Sequence, residues 1–411
     1  MSSTLEAARA DAYGTPLEDL DVHRRELFRD YTFWPYFERL RKEAPVHWCP
    51  KGDPNPYWSI TRYDDIMAVD VNHTLFSSED GIALSDKPRF QSMGFIAMDP
   101  PRHDAHRKVV SPMMAPQNLA RLEGLIRSRA GVILDGLPVG ETFDWVDRVA
   151  VELTTQMLAT LFDFPFDERR KLTRWSNVGS SEPGSMYVET AEQREAELLE
   201  CAAYFAGLWN ERVNQPPRLD LISMLAHSEV TRNMTPEEFL GTLLLLIIGG
   251  NDTTRNSISG SVVALNEFPE QYDRLMADPA LLATMVPEVI RWQTPIAYMR
   301  RTATADVTMH GKTICKGDRV LMWYVSGNRD DTVIADPEAF IIDRERPRQH
   351  LSFGFGVHRC LGNRLAELQL KIIWEEILRR FKRVEVMGPP ERVYSTFIKG
   401  YERLPVRLHA R

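Results

Sequence analysis

FGFGVHRCLG, residues 353–362, decides how this chain is read. Gly354 and Gly356 let the backbone turn tightly, and His358 and Arg359 lie directly beside the sulfur of Cys360. Leu361 and Gly362 then lead into NRLAELQLKIIWEEIL, whose apolar spacing is that of a helix. A cysteine in a glycine-rich loop at a helix N-terminus has its thiolate favoured by the helix dipole and by nearby backbone N–H groups. Such a setting suits a deprotonated sulfur that holds a metal.

Around this loop the composition is that of an ordinary globular protein. The chain has 411 residues, 43% hydrophobic and 26% charged, with no linker, internal repeat or low-complexity stretch, so residues 1–411 are expected to form a single domain. Residues 1–20, polar and mildly acidic, are expected to be loosely ordered. A net charge of −8 argues against nucleic acid as a partner, which needs a basic footprint. Cys49, Cys201, Cys315 and Cys360 show no paired spacing, which reads as free thiols in a reducing compartment. The start MSSTLEAARADAYG has neither the basic nor the apolar stretch of a leader, and the densest apolar run, residues 243–248, is far too short to span a bilayer. A cytoplasmic protein without a membrane anchor is expected.

Helical periodicity dominates: residues 119–137, 149–161, 191–215, 235–266, 281–292 and 363–381. Strand-like segments are short, at 46–48, 57–60, 307–309, 312–314, 319–323 and in the tail 393–408. The fold class is therefore mainly α with a small β subdomain. Thr235, Pro236 and Glu238 form an N-terminal signature for the fourth helix, and its middle, GTLLLLIIGG, is apolar all round, as a helix crossing the core must be.

That buried helix then breaks its own rules at GGNDTTRN, residues 249–256. Glycines cost a helix interior up to about 1 kcal/mol each against alanine, and buried polar side chains cost more unless hydrogen-bonded. The glycines would open a groove in which a small ligand could lie, and Thr253 could bond a carbonyl one turn back. The bland reading is close helix packing beside a satisfied threonine. Glu288 and Arg291 lie three apart on one helix face and can pair, usually as a weak surface salt bridge. In DPPRHDAHR, residues 99–107, His103 and Arg107 share a face. His106 is more simply surface or core filler, and His47 and Cys49 have no partners at zinc-like spacing.

Taken together, these segments resemble the cytochromes P450. Cys360 matches the axial cysteine of the haem loop, which also includes Phe353, His358 and Gly362. GGNDTTRN matches the oxygen-activation motif of the long central helix over the haem, with Gly249 against the cofactor and Asp252 and Thr253 as an acid–alcohol pair. Glu288 and Arg291, completed by Arg344 of PEAFIIDR, match the family's structural ExxR triad. His103, Arg107, Arg301 and His358 match propionate contacts; Arg300 rivals Arg301, because spacing from Glu288 and spacing to Asp306 favour different arginines. The stretches LLLLIIGGNDTTRNSISG, EVIRWQTPIAYMRRTA, WYVSGNRDD and RPRQHLSFGFGVHRCLGNRLAE are similar to the bacterial subfamily that hydroxylates alkanes and fatty acids at the chain terminus.

The resemblance implies haem b with a Cys360 thiolate ligand, O2 as co-substrate, and a monooxygenase reaction in which Asp252 and Thr253 deliver protons. A substrate pocket is implied from Met93, Phe95, Ile96, Leu245, Ile248, Ile296, Ala297, Met299 and Phe397, all apolar. No glycine-rich dinucleotide fingerprint follows an expected strand. Electrons are therefore expected from a ferredoxin and its NAD(P)H-dependent reductase, docking on a basic patch of Arg359, Arg364, Arg102 and Lys108, with the enzyme a monomer. Two other readings remain open: a monooxygenase of sterol or terpenoid substrates, and a non-catalytic haem-thiolate sensor.

Overall fold

The computed structural model describes residues 2–85, 94–181 and 183–411. At its centre runs the helix Pro236–Glu267, 32 residues and about 48 Å long at 1.5 Å per residue. Its start is closed by a full capping box: Thr235 Oγ1 accepts from the Glu238 amide at 3.2 Å, and Glu238 Oε2 accepts from the Thr235 amide at 3.0 Å. The helices packed on this rod include Glu152–Phe162, Arg170–Ser180, Leu282–Gln293 and Asn363–Arg380. Its second half is buried almost throughout, whereas Leu245, Leu246 and Ile248 are only partly covered. Those three line a cavity.

The sheet component is small and peripheral. The largest sheet has five strands in the order Val46–Cys49, Tyr57–Ile60, Arg319–Met322, Met299–Ala303, Phe76–Ser77. All neighbours are antiparallel except Tyr57–Ile60 with Arg319–Met322, where Ser59 stands opposite Leu321. A three-stranded sheet joins Thr142–Asp144, Pro405–Ala410 and Phe381–Val386. The architecture is mainly α with a small β part, as the periodicity implies.

Two segments differ from the sequence reading. The loosely ordered start expected for residues 1–20 is instead a helix, Ser2–Gly14, docked on Trp34–Glu43. Ala12 is fully buried, and Arg39 Nη1 donates to the Ala12 and Thr15 carbonyls at 2.6 Å each. Its buried stripe is made of alanines, Ala8 and Ala12, so a scan for large apolar residues passes over it. Residues 299–303 form an inner strand because Met299, Arg300, Arg301 and Thr302 pair with Arg319–Met322. Two arginines in a row conceal that pattern.

Candidate active site: a cysteine loop and a broken helix sharing one cavity

A cavity of about 1100 Å³ lies between the cysteine loop and the middle of the central helix. Phe353, His358, Cys360 and Gly362 border it on one side, and Gly249 and Thr253 on the other. His103, Arg107 and Arg301 also line it, as do Phe95, Ile96, Leu245, Ile248, Ile296, Met299 and Phe397. Met93 falls outside the described residues. Ala297 does not line the cavity: it is fully buried in the aromatic cluster of Phe28, Phe37 and Trp323, while its neighbours Ile296 and Tyr298 are cavity residues. Its backbone is fixed from both sides, its N–H donating to the Phe397 carbonyl and its carbonyl accepting from Val325.

The cysteine loop needs its glycines. Gly354 and Gly356 have φ of +64° and +65°, and a Cβ on Gly356 would stand 2.9 Å from the Asp70 carbonyl oxygen. Asp70 organises this corner. Its carboxylate accepts from the Phe355 amide at 2.8 Å, from Tyr324 Oη at 2.9 Å and from Arg301 Nη2 at 2.8 Å. The Cys360 amide donates to the Phe353 carbonyl at 2.7 Å, which closes the loop and leaves the sulfur facing the cavity. Burial pushes the Cys360 thiol above its ordinary value, although the Gly362 and Asn363 amides and the Arg107 and Arg359 charges pull the other way. A thiol of this kind gives up its proton when a metal ion binds.

A cationic corner adjoins the loop. Arg301 lines the cavity, whereas Arg300 turns to the Ala83 carbonyl and Thr302 Oγ1, each at 3.2 Å. Arg107 Nη2 donates to the Arg359 carbonyl at 2.5 Å. The rings of His103 and His358 meet edge-on, 4.4 Å between centroids. Burial lowers both imidazoles, His358 to about 2, with Arg301 adding to the effect, so both are neutral. Each keeps one buried ring nitrogen without a partner among the described residues, Nε2 of His103 and Nδ1 of His358. Two arginines and two such nitrogens at one end of a cavity suit a group carrying carboxylates.

On the central helix, a Cβ added to Gly249 would meet nothing within 4 Å, while one on Gly250 would stand 3.1 Å from Leu158. Gly249 therefore opens the groove and Gly250 permits close helix packing. Thr253 Oγ1 donates to the Gly249 carbonyl at 3.0 Å, the one-turn bond its position implies. Asp252 lies off the cavity. It is fully buried on the far side of the helix, accepting from Ser176 Oγ at 2.9 Å and lying 3.2 Å from Arg255 Nη2. One residue along a helix turns a side chain by about 100°, and here that turn carries Asp252 off the cavity that Thr253 lines. His106, buried with an unpartnered Nδ1, is likewise no cavity residue.

Glu288 and Arg291 are both wholly buried, with two bonds of 2.8 Å between them. Arg344 completes the cluster on Glu288 at 2.9 and 3.2 Å. Burial alone would raise the Glu288 carboxyl, yet Arg291 and then Arg344 hold it below the usual glutamate value. None of the three lines the cavity.

The sequence reading passed over Asp70, the hub of the loop. One signal was available: an aspartate in the last turn of Tyr63–Val71 opposes the helix dipole and calls for a special partner. Among the described residues, no cluster of three or more His, Cys, Asp or Glu could hold a metal ion. A single sulfur, carboxylate-binding groups at one end and a glycine-cleared helix are together the donor set of a metal carried in a large organic ring.

Known proteins agree with that geometry. The family model described as Cytochrome P450 matches residues 186–398. Linalool 8-monooxygenase of Pseudomonas putida is 35% identical over 405 residues, covering 95% of this chain and 99% of the relative. Methyl-branched lipid omega-hydroxylase of Mycobacterium tuberculosis is 33% identical over 422 residues, covering 96% of each. The solved structure of cytochrome P450-153 from Novosphingobium aromaticivorans superposes with a TM-score of 0.89 at 44% identity, covering 95% of this chain and 99% of that one. The chain belongs to the cytochrome P450 family. It is a monooxygenase that uses O2 at a haem iron held by a cysteine thiolate, and no described helix is long and apolar enough to cross a membrane.

Proposed function

We propose that this monooxygenase hydroxylates the terminal carbon of medium-chain alkanes or fatty acids. The observation that carries the reading is the lining of the cavity: Leu245, Ile248, Ile296, Met299, Phe95 and Phe397 are all apolar, and they share one space with Cys360 and Thr253. A hydrocarbon chain needs such walls and few polar groups. The methyl-branched lipid omega-hydroxylase relative supports the same substrate class. The likeness to linalool 8-monooxygenase favours a second reading, a terpenoid substrate.

Cys360 Sγ is proposed as the ligand of haem b, with His103, Arg107, Arg301 and His358 taking the propionates. Bound there, the haem supplies O2 activation and C–H oxidation. The Gly362 and Asn363 amides moderate the charge on the sulfur. Thr253 gives its hydroxyl hydrogen to the Gly249 carbonyl, which leaves the oxygen lone pairs available to accept a proton donor on the cavity side. The apolar walls keep bulk water from that hydroxyl once a substrate chain fills them. Asp252, behind the helix, holds the acidic end of the proton route.

Electrons are proposed to come from a ferredoxin and its NAD(P)H-dependent reductase, docking at exposed Arg359, Arg364 and Lys108. Arg102 leaves that patch, because it is ion-paired with Glu238 at the start of the central helix. The chain is proposed to act as one domain and as a monomer in the cytoplasm, where its cysteines stay unpaired. Incubation of the holoenzyme with octane, dodecanoate and linalool, using a surrogate ferredoxin system, tests the substrate class. The reading requires 1-octanol or the omega-hydroxy acid as the main product. Oxidation of linalool alone, or of internal chain carbons, would overturn it.

A further inference from the structure

Asp252 does not border the main cavity, and it meets the space behind the helix through its ion-pair partner Arg255 rather than directly. A second cavity of about 500 Å³ lies behind the central helix, rimmed by Asp147, Arg170, Arg174 and Glu197. Tyr187, Arg255 and Glu402 border both cavities. Among the described residues, Glu402 is the one carboxyl common to the two linings. Arg255 joins the parts: its Nη2 lies 3.2 Å from Asp252 Oδ1 and its Nη1 donates to Asn177 Oδ1 at 2.7 Å. Tyr187 Oη donates to Glu402 Oε2. Asp252 Oδ2 is fully buried with no hydrogen-bond partner among the described residues, an arrangement that costs free energy and calls for an explanation.

We propose that Glu402, held by Tyr187, is the outer relay that passes protons from water in the second cavity to Asp252, behind Thr253. The inference rests on the Asp252–Thr253 reading above and extends it to solvent. Arg255 cannot serve as the relay, since a guanidinium does not release its proton in proteins; it positions Asp252. In the step itself, a solvent proton carried as hydronium through the outer cavity protonates the Glu402 carboxylate and leaves neutral water behind; the proton then moves on to the Asp252 carboxylate, which passes it toward Thr253. Glu402 returns to the carboxylate and is reloaded from bulk solvent, and no electron moves. Burial raises Glu402 above the ordinary glutamate range, Tyr187 and Arg255 pull it down, and Asp252 and Glu391 push it up. The same burial raises Tyr187, so its hydroxyl stays a donor.

The test uses the holoenzyme as Glu402→Gln, Tyr187→Phe and Asp252→Asn, with dodecanoate or linalool according to which gives product. Glu402→Gln is expected to lower kcat roughly ten-fold with KM unchanged and to flatten its pH profile. Glu402→Asp should restore part of the rate, and Tyr187→Phe should shift the profile without abolishing it. Infrared pH-difference spectra of the resting enzyme give a readout independent of turnover: a protonated-carboxyl band at mildly acidic pH should disappear in Glu402→Gln. A wild-type pH profile in Glu402→Gln, or an unchanged band, would overturn the relay. So would a loss of rate with the profile intact, which marks a structural brace. If Asp252→Asn loses coupling of NADH use to product while Glu402→Gln keeps it, only the outer relay falls. If Asp252→Asn itself keeps coupling, the inner reading fails.

Discussion

Asp70 Oδ1 accepts a hydrogen bond from Arg301 Nη2 at 2.8 Å, so one buried carboxylate grips both a cavity arginine and, through Phe355, the cysteine loop. Both side chains are almost wholly shielded from solvent. Losing one partner of a buried pair costs far more than the pair contributes as a whole. Asp70→Asn keeps the shape but removes the buried charge paired with Arg301 and weakens the loop anchor. A loss of about 3 kcal/mol is expected. Urea unfolding of the holoprotein, together with its haem-to-protein ratio, measures it; an unchanged midpoint with full haem content would refute the role of Asp70.

The Glu288 cluster predicts a different phenotype. Glu288 also accepts from the Ile341 amide at 2.9 Å, which ties the ExxR helix to the segment bearing Arg344. Glu288→Gln leaves two guanidinium groups around a neutral amide, at a cost of about 3–5 kcal/mol. Since none of the three lines the cavity, the fraction that folds should give the wild-type product distribution. Altered regiochemistry in that fraction would show that the cluster shapes the site directly.

What the sequence revealed follows how local each feature is. The capping box of Thr235 and Glu238, the glycine-rich turn before Cys360 and the spacing of Glu288 and Arg291 all lie within a few residues of chain, where geometry fixes the outcome. Asp252 came with the local motif match, but its burial behind Thr253 depends on Ser176, a partner on another helix. Ala297 lies off the cavity because it packs into the aromatic cluster around Trp323, which its own segment does not show. Asp70 and Glu402 were not legible at all: each acquires its role from partners hundreds of residues away, Arg301 and Tyr187. The helix Ser2–Gly14 was missed because alanine gives a flat buried stripe with little hydrophobic signal.

Thr253→Ala separates chemistry from folding. Among the described residues the hydroxyl bonds only the Gly249 carbonyl of its own helix, and its removal should change stability by well under about 1 kcal/mol. The ferric and carbon monoxide spectra should be unchanged. Product formed per NADH should fall roughly ten-fold, with hydrogen peroxide making up the difference. Full coupling in this variant would remove Thr253 from the proton route.

His23, which also lines the large cavity, sets a pH dependence of stability. Its Nδ1 faces the Asp53 carbonyl at 2.9 Å, so that nitrogen carries the hydrogen, and Nε2 accepts from Thr396 Oγ1 at 2.8 Å and Tyr298 Oη at 3.1 Å. Burial lowers the imidazole to about 4, with Arg25 lowering it further and Asp21 and Asp53 opposing. Protonation would put a second N–H against hydroxyls that already donate to Nε2. Because the folded value lies below the unfolded one of about 6.5, the unfolded chain takes up the proton first. The contribution is therefore complete above about pH 6.5, is lost as pH falls toward about 4, and changes no further below that. Within that window the slope approaches about 1.4 kcal/mol per pH unit for one proton. Urea midpoints of the holoprotein and of His23→Gln across this range isolate the effect, and the difference between them should shrink as the pH falls. A constant difference would show that His23 does not titrate with unfolding.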